Sequence, residues 1–167
     1  EYNFFNSTFN KIKYKSHYLS FAVNNNFWKH TNYELKSRKY FLFIGNDLNR
    51  DFLLLNKIAK NFPKINFLFI TNRKLNSNKN VKIINGHLTK NLLTDKDILK
   101  YYHEALATLI PLKNTLQPSG QSVFLQSLSS GTPAIISKFD GFFDDNFIHS
   151  KDCFMIDNCN FVDFIKN

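Results

Sequence analysis

The chain predicts an α/β fold, a Rossmann-like parallel sheet with helices on both faces, and three observations carry that prediction. Short apolar runs recur at Tyr40–Ile44, Ile65–Ile70, Leu106–Ile110 and Ala134–Ile136, the pattern of strands buried on both faces. Segments of helical periodicity lie between them, such as Phe52, Leu55, Ile58, Ala59 and Phe62. Gly45, Gly86, Gly120 and Gly141 fall in loops after apolar runs. Open α/β sheets gather their ligand loops there, at the carboxyl ends of the strands.

In chain order, residues 1–37 read as an arm or inter-domain connection ahead of a domain at 38–167. Tyr2, Phe4, Phe5, Phe9 and Tyr14 are scattered among Asn, Lys and Ser; His17–Val23 suits a strand, and Asn24-Asn25-Asn26 a turn before Phe27-Trp28. Tyr40–Ile44, ending at Gly45, has the form of the first strand of a parallel sheet. Asp51 opens the next helix and Pro63 stops it. Ile65–Ile70 is the second strand and Val81–Ile84 a shorter third. Thr94, with Asp97 three residues on, reads as an N-cap and starts a helix through Ala105. The fourth strand, Leu106–Ile110, runs to Pro111. Ser119 is the expected N-cap of a helix that turns Phe124, Leu125 and Leu128 inward, with Gly131 at its C′ position and Pro133 beyond. Ala134–Ile136 is the fifth strand, Phe143–His149 a short helix, Cys153–Ile156 the last strand and Phe161–Lys166 a terminal helix.

At 167 residues, 43% hydrophobic and 21% charged, the chain has the makings of one soluble domain with a substantial core. No apolar run approaches the roughly 18–20 residues of a membrane span, and no N-terminal signal pattern is present. The start at Glu1, without Met, leads us to expect a piece of a longer protein. The net charge of +9 is spread along the chain. That disfavours nucleic acid as a partner and favours phosphorylated ligands or an anionic membrane surface. Cys153 and Cys159 are too few for a disulfide framework, and no zinc spacing occurs. Reduced thiols and a cytoplasmic location follow by default.

The chemistry concentrates at Pro118-Ser119-Gly120-Gln121-Ser122. Free N–H groups and the positive end of the helix dipole at Gly120–Ser122 form an anion site; plain helix capping is the bland alternative. GxGxxG, GxxxxGK[ST] and GxSxG are all absent, which disfavours classical dinucleotide dehydrogenases, P-loop NTPases and elbow-type hydrolases. Asp140, Asp144 and Asp145 form a local acidic cluster, best read as solvated surface.

Four stretches together carry a resemblance: IGND..RDF..L..IAK, VKIINGHLT, ILKYYHEALATLIPL and PSGQSVFLQSLSSGTPAIIS..DG. From Tyr40 to Ile156 the chain resembles the C-terminal, donor-binding half of GT-B glycosyltransferases of the glycosyl transferases group 1 family. HYLSFAVNNNFW, residues 17–28, is similar to the segment that joins the two halves. The resemblance implies that Gly45, Arg50, Ser119, Gly120, Gln121 and Ser122 meet the diphosphate and sugar of a nucleoside diphosphate sugar. Lys113 would add charge at the same rim; a solvated lysine is its plain alternative. Arg50 suits charge-assisted contact with phosphate; a solvated helix-start residue is its plain alternative. The family commonly has two glutamates with seven residues between them, the second toward the ribose. Here those positions hold Pro118 and Gln126, and Gln126 can still hydrogen-bond ribose hydroxyls.

The expected activity is therefore sugar transfer to a glycan or lipid acceptor of the cell envelope, leaning to retention, at the inner face of the membrane. The acceptor would bind through an N-terminal domain missing from this chain, which alone would bind donor and not turn over. The substrate is the nucleotide sugar, and neither a metal nor another cofactor is implied. The alternative is a non-catalytic α/β binding module that keeps the fold without the donor chemistry. A flavodoxin-like flavin or regulatory domain fits the architecture, but the turn after the first strand offers one carboxylate, Asp47.

Overall fold

The computed structural model describes residues 2–9, 17, 19–29, 38–75, 78–86, 93–115, 117, 119–138 and 146–166. Its centre is a six-stranded parallel sheet in the order β3-β2-β1-β4-β5-β6. The strands are β1 Tyr40–Ile44, β2 Phe67–Ile70, β3 Val81–Ile84, β4 Ala105–Ile110, β5 Ala134–Ser137 and β6 Phe154–Ile156. The order runs outward one way from β1 to β3, then resumes on the other side at β4. The sheet thus has a topological switch point between β1 and β4, the place where this class of sheet opens a ligand crevice.

Side-chain alternation along each strand divides the core in two. Phe43, Phe67, Phe69, Leu109 and Ile135 point to one face and meet α2 (Phe52–Asn61) and α5 (Phe161–Lys166) through Leu55, Ile58 and Phe161. Leu42, Leu68 and Ile70 point to the other face, toward Tyr102 of α3 (Asp95–His103). On that same face Ile110, Ala134 and Ile136 pack on Val123 and Phe124 of α4 (Gln121–Ser129). Burial of each large apolar side chain stabilises by roughly 1.5–3 kcal/mol, and a sheet covered on both faces needs its apolar runs to be unbroken.

Caps set the helix ends. The Asp51 carboxylate accepts from Leu54 N–H at 2.8 Å at the start of α2. At the other end Asn80 Nδ2 donates to the carbonyls of Ala59, Phe62 and Ile65 at 2.9–3.1 Å, satisfying oxygens the helix leaves orphaned. Thr94 and Asp97 form a reciprocal capping box on α3. At the end of α4, Gly131 takes φ +73°. Thr132 N–H bonds Ser127 O at 2.9 Å and Gly131 N–H bonds Leu128 O at 3.0 Å, a complete Schellman motif.

Several boundaries differ from expectation. Residues 19–23 form no strand and Leu19 is 91% exposed; an apolar run without a ladder partner stays out of a sheet. The Asn24 turn does form, its Oδ1 accepting from Asn26 and Phe27 N–H. Trp28 is buried edge-on against Tyr102, ring centroids 6.0 Å apart, and joins the core between the sheet and α3. At the start a short helix, α1, spans Tyr2–Thr8, where the scattered aromatics carry no clear helical periodicity. Helix α3 stops at His103, short of Ala105, because Ala105 pairs with Tyr40 in the sheet. Ile65 belongs to a turn, its N–H bonded to Phe62 O, and β2 begins two residues later. Asn146–His149 is turn and bridge in place of the expected helix; residues 143–145, like Asp140 and Gly141, lie outside the described residues.

Cys153 is buried, and burial with the nearby Asp152 charge pushes its thiol up to about 11. Cys159 is exposed. At pH 8 a thiol-alkylating reagent is expected to label Cys159 at least tenfold faster, because the thiolate is the nucleophile. Peptide mass mapping over time reads the order, and equal rates would contradict this packing.

Candidate functional site

At the switch point the loops after β1 and β4 are stitched together. Arg50 and Leu112 form an isolated antiparallel bridge. Asp51 N–H donates to Pro111 O at 2.9 Å and Lys113 N–H to Asn49 O at 2.8 Å. Above this stitch lies a cleft of about 420 Å³, lined by Gly45–Asp47, Asn49 and Arg50 on one side and Gln117 with Ser119–Val123 on the other. Of the expected site residues, Gly45, Arg50, Ser119, Gly120, Gln121 and Ser122 therefore converge on one cleft. A larger groove of about 540 Å³ runs between residues 21–29 and α4. Its walls include Phe21, Leu125, Leu128 and Phe147, with Lys29 the only titratable group among the described residues, so the polar chemistry belongs to the rim cleft.

Arg50 is 4% exposed, which excludes a solvated helix-start role. Its Nε donates to Asp47 Oδ2 at 2.9 Å, while Nη1 is buried without a hydrogen-bond partner among the described residues. Two glycines make the space. A Cβ on Gly45 would lie 2.7 Å from Arg50 Nε, and one on Gly120 would lie 2.8 Å from Nη1. The guanidinium thus sits in a slot between the end of β1 and the start of α4. Burial pushes its pKa down from the ordinary value, opposed by the Asp47 charge and hydrogen bond; an arginine remains charged throughout.

Ser119 does not cap α4. Its hydroxyl donates 2.8 Å across the cleft to Asp47 Oδ1, and the N-cap is Gly120 at φ +81° with no side-chain cap bond. Glycine takes this left-handed conformation without the Cβ penalty. The expectation for Ser119 failed because the helix starts one residue later, with Gly120 as N-cap, and the Ser119 side chain turns to the Asp47 carboxylate. Loss of that cap leaves the N–H groups at Gln121–Val123 without a side-chain acceptor among the described residues, at the positive end of the helix and beside an unpartnered cationic nitrogen.

Asp47 is the principal residue that sequence reasoning left out. Burial raises its pKa, but the Arg50 charge and the bonds from Ser119, Arg50 and Asn49 outweigh this and hold it below its ordinary value of 3.8. A carboxylate three residues before an arginine, just past a strand-ending glycine, was the available signal. The sign follows by linkage: this stability is present above pH 3.8 and lost as pH falls further. Acid titration of unfolding is expected to show a shallower loss below pH 4 in Asp47→Asn than in the parent; parallel curves would contradict it. Asn46, also unforeseen, locks the rim. Its Nδ2 donates to Gly86 O, and its Oδ1 accepts from Asn72 N–H and Thr71 Oγ1.

Two expected residues stand apart. Lys113 is exposed and is not part of the lining. Gln126 is half-buried on α4, its Oε1 accepting from the Tyr102 hydroxyl at 3.2 Å, and it does not line the cleft. Pro118 lies outside the described residues. Among the described residues no group of three or more His, Cys, Asp or Glu is placed to hold a metal ion, and no helix is long and apolar enough to cross a membrane.

With that geometry in hand, one comparison finds a match. The chain has a Rossmann-like α/β fold, a parallel sheet with helices on both faces. It superposes on the crystal structure of TarM, a glycosyltransferase, with a TM-score of 0.54 over 88% of this chain, at 10% sequence identity. The match covers 30% of the TarM chain, so the present chain spans under a third of that protein. No family model and no curated protein matches the sequence. At that identity the likeness is one of fold, and sites are argued from the cleft itself.

Proposed function

We propose that this chain is the donor-binding part of a glycosyltransferase similar to the group 1 family, taking a nucleoside diphosphate sugar as substrate. The observation that carries the reading is the uncapped start of α4, set over the buried Arg50 guanidinium at the β1/β4 switch point. Diphosphate would lie against the N–H groups of Gln121 and Ser122, with Arg50 supplying charge from beneath. As the glycosidic bond to the donor breaks, negative charge builds on the leaving diphosphate. Donors fixed in advance stabilise that charge without reorganising. Gln126 would turn its amide NH₂ to ribose, Lys113 would add charge at the outer rim, and a second domain would bring a glycan or lipid acceptor of the cell envelope. The reading places the enzyme in the cytoplasm at the inner face of the membrane.

The test is thermal shift with UDP, GDP, ADP, CDP and their sugar esters, using inorganic triphosphate as the polyanion control. A ligand at 100 times its dissociation constant stabilises by about 2.7 kcal/mol. Stabilisation by one base and not by triphosphate is expected. Arg50→Met should weaken that ligand about 10- to 100-fold, the range for a lost charged hydrogen bond of roughly 1.5–3 kcal/mol. Equal small shifts from all anions, vanishing in salt, would overturn the reading. They would favour the second one, a binding module without donor chemistry, to which the engagement of Gln126 by Tyr102 lends support.

A further inference from the structure

The cleft holds a feature that diphosphate binding does not require. The Asp47 carboxylate stands in its wall with 46% of the side chain exposed. Oδ2 is held by Arg50 Nε at 2.9 Å, and Oδ1 by Ser119 Oγ at 2.8 Å and Asn49 N–H at 3.1 Å. A site built only to attract anions would leave Arg50 its full unit of charge. Here a carboxylate is held beside that charge by one ion pair and two neutral hydrogen bonds, and it offsets much of the charge that Arg50 presents to a ligand.

We propose that Asp47 sets the specificity of the cleft, making it favour a sugar-esterified diphosphate over the free nucleoside diphosphate. The inference rests on the donor reading and deepens it. A diphosphate esterified at both ends carries one negative charge on each phosphate. Removal of the sugar leaves a terminal phosphate with a second ionisation near pH 6. An unopposed Arg50 would reward that extra charge. An Arg50 offset by Asp47 rewards it much less, and Asp47 repels it directly at a range where partly buried charges are weakly screened. The substrate is then held better than the product, and the spent diphosphate leaves readily.

The other groups around Asp47 do not supply the discrimination. Ser119 and Asn49 contribute neutral donors. From α3, Tyr102 approaches Arg50 fully buried, with its phenol pushed up by burial and therefore neutral. On the β2 side Arg73 Nε is bonded to Asn46 O at 2.8 Å. Arg50 and Asp47 are the charged pair in the lining, and both stay ionised across the tested range, Asp47 because its pKa is depressed.

Titration calorimetry with UDP and UDP-glucose, GDP and GDP-mannose, and ADP and ADP-glucose at pH 8 and pH 5.5 tests this. The parent chain should prefer the sugar ester of the base it binds at pH 8. At pH 5.5, with the terminal phosphate singly charged, that preference should shrink toward one. Asp47→Asn should shift the ratio toward the free diphosphate by about tenfold at pH 8. An unchanged ratio in Asp47→Asn, with both ligands still bound, overturns the role of Asp47 and leaves the donor reading standing. Should Asp47→Asn not fold, a pH-independent ratio in the parent overturns it equally. Failure of the parent to bind any of the six ligands sinks both.

Discussion

Replacing Phe124 with alanine is expected to lower the unfolding free energy by about 3–5 kcal/mol, the range for a fully buried phenylalanine. The ring has no exposed surface. It packs among Ile110, Leu112, Ala134 and Ile136 and meets the edge of Phe147 with centroids 4.8 Å apart. Strands on two sides and a helix backbone frame the position, so the cavity cannot collapse far. A loss of that size is a large share of the roughly 5–15 kcal/mol that keeps a domain folded. The site is affected as well, because the Phe124 ring anchors the first turn of α4, whose start at Gly120–Ser122 lines the cleft. Urea unfolding at unchanged slope measures it; a loss under 1.5 kcal/mol would mean that α4 is not anchored as described.

Gly120→Ala is expected to abolish the anion site at a smaller cost in stability. Its Cβ would lie 2.8 Å from both Arg50 Nη1 and Ile110 Cγ2. The left-handed backbone at φ +81° adds about 1–2 kcal/mol for any residue with a Cβ. Neither neighbour can yield freely, since Ile110 is core and Arg50 is tied to Asp47. The guanidinium must leave its slot, and nucleoside diphosphate affinity should fall more than tenfold. Gly45→Ala separates the two effects. Its Cβ would press on Arg50 Nε at 2.7 Å without a left-handed backbone, so it should weaken binding with a smaller loss of stability. Thermal melts and calorimetry on both variants read this. Full affinity in Gly120→Ala would show that Arg50 does not need its slot.

Much of the fold was legible because its signals are local. Unbroken apolar runs such as Tyr40–Ile44 have few alternatives to a doubly covered strand. Thr94 with Asp97 and Gly131 before Pro133 are cap chemistries complete within a few residues. The sequence also assembled most of the rim, since strands joined by helices must bring the loops at Gly45–Arg50 and Ser119–Ser122 to the same edge. Where it misled, the competitor came from far along the chain. Ala105 left its helix for Tyr40, 65 positions before it in the sheet pairing. Residues 19–23 had strand composition and found no ladder partner.

The site itself divides along the same line. Residue types and spacing were sufficient to place a glycine-led helix start and a basic residue on one rim, because periodicity and crossover topology act through the chain. They were not sufficient to pair Arg50 with Asp47, to turn Ser119 away from its cap, or to bind Gln126 to Tyr102. Each of those outcomes depends on which acceptor lies within 3.5 Å once the sheet has closed, and a hydrogen bond spanning 72 positions, as between Ser119 and Asp47, leaves no local pattern to read.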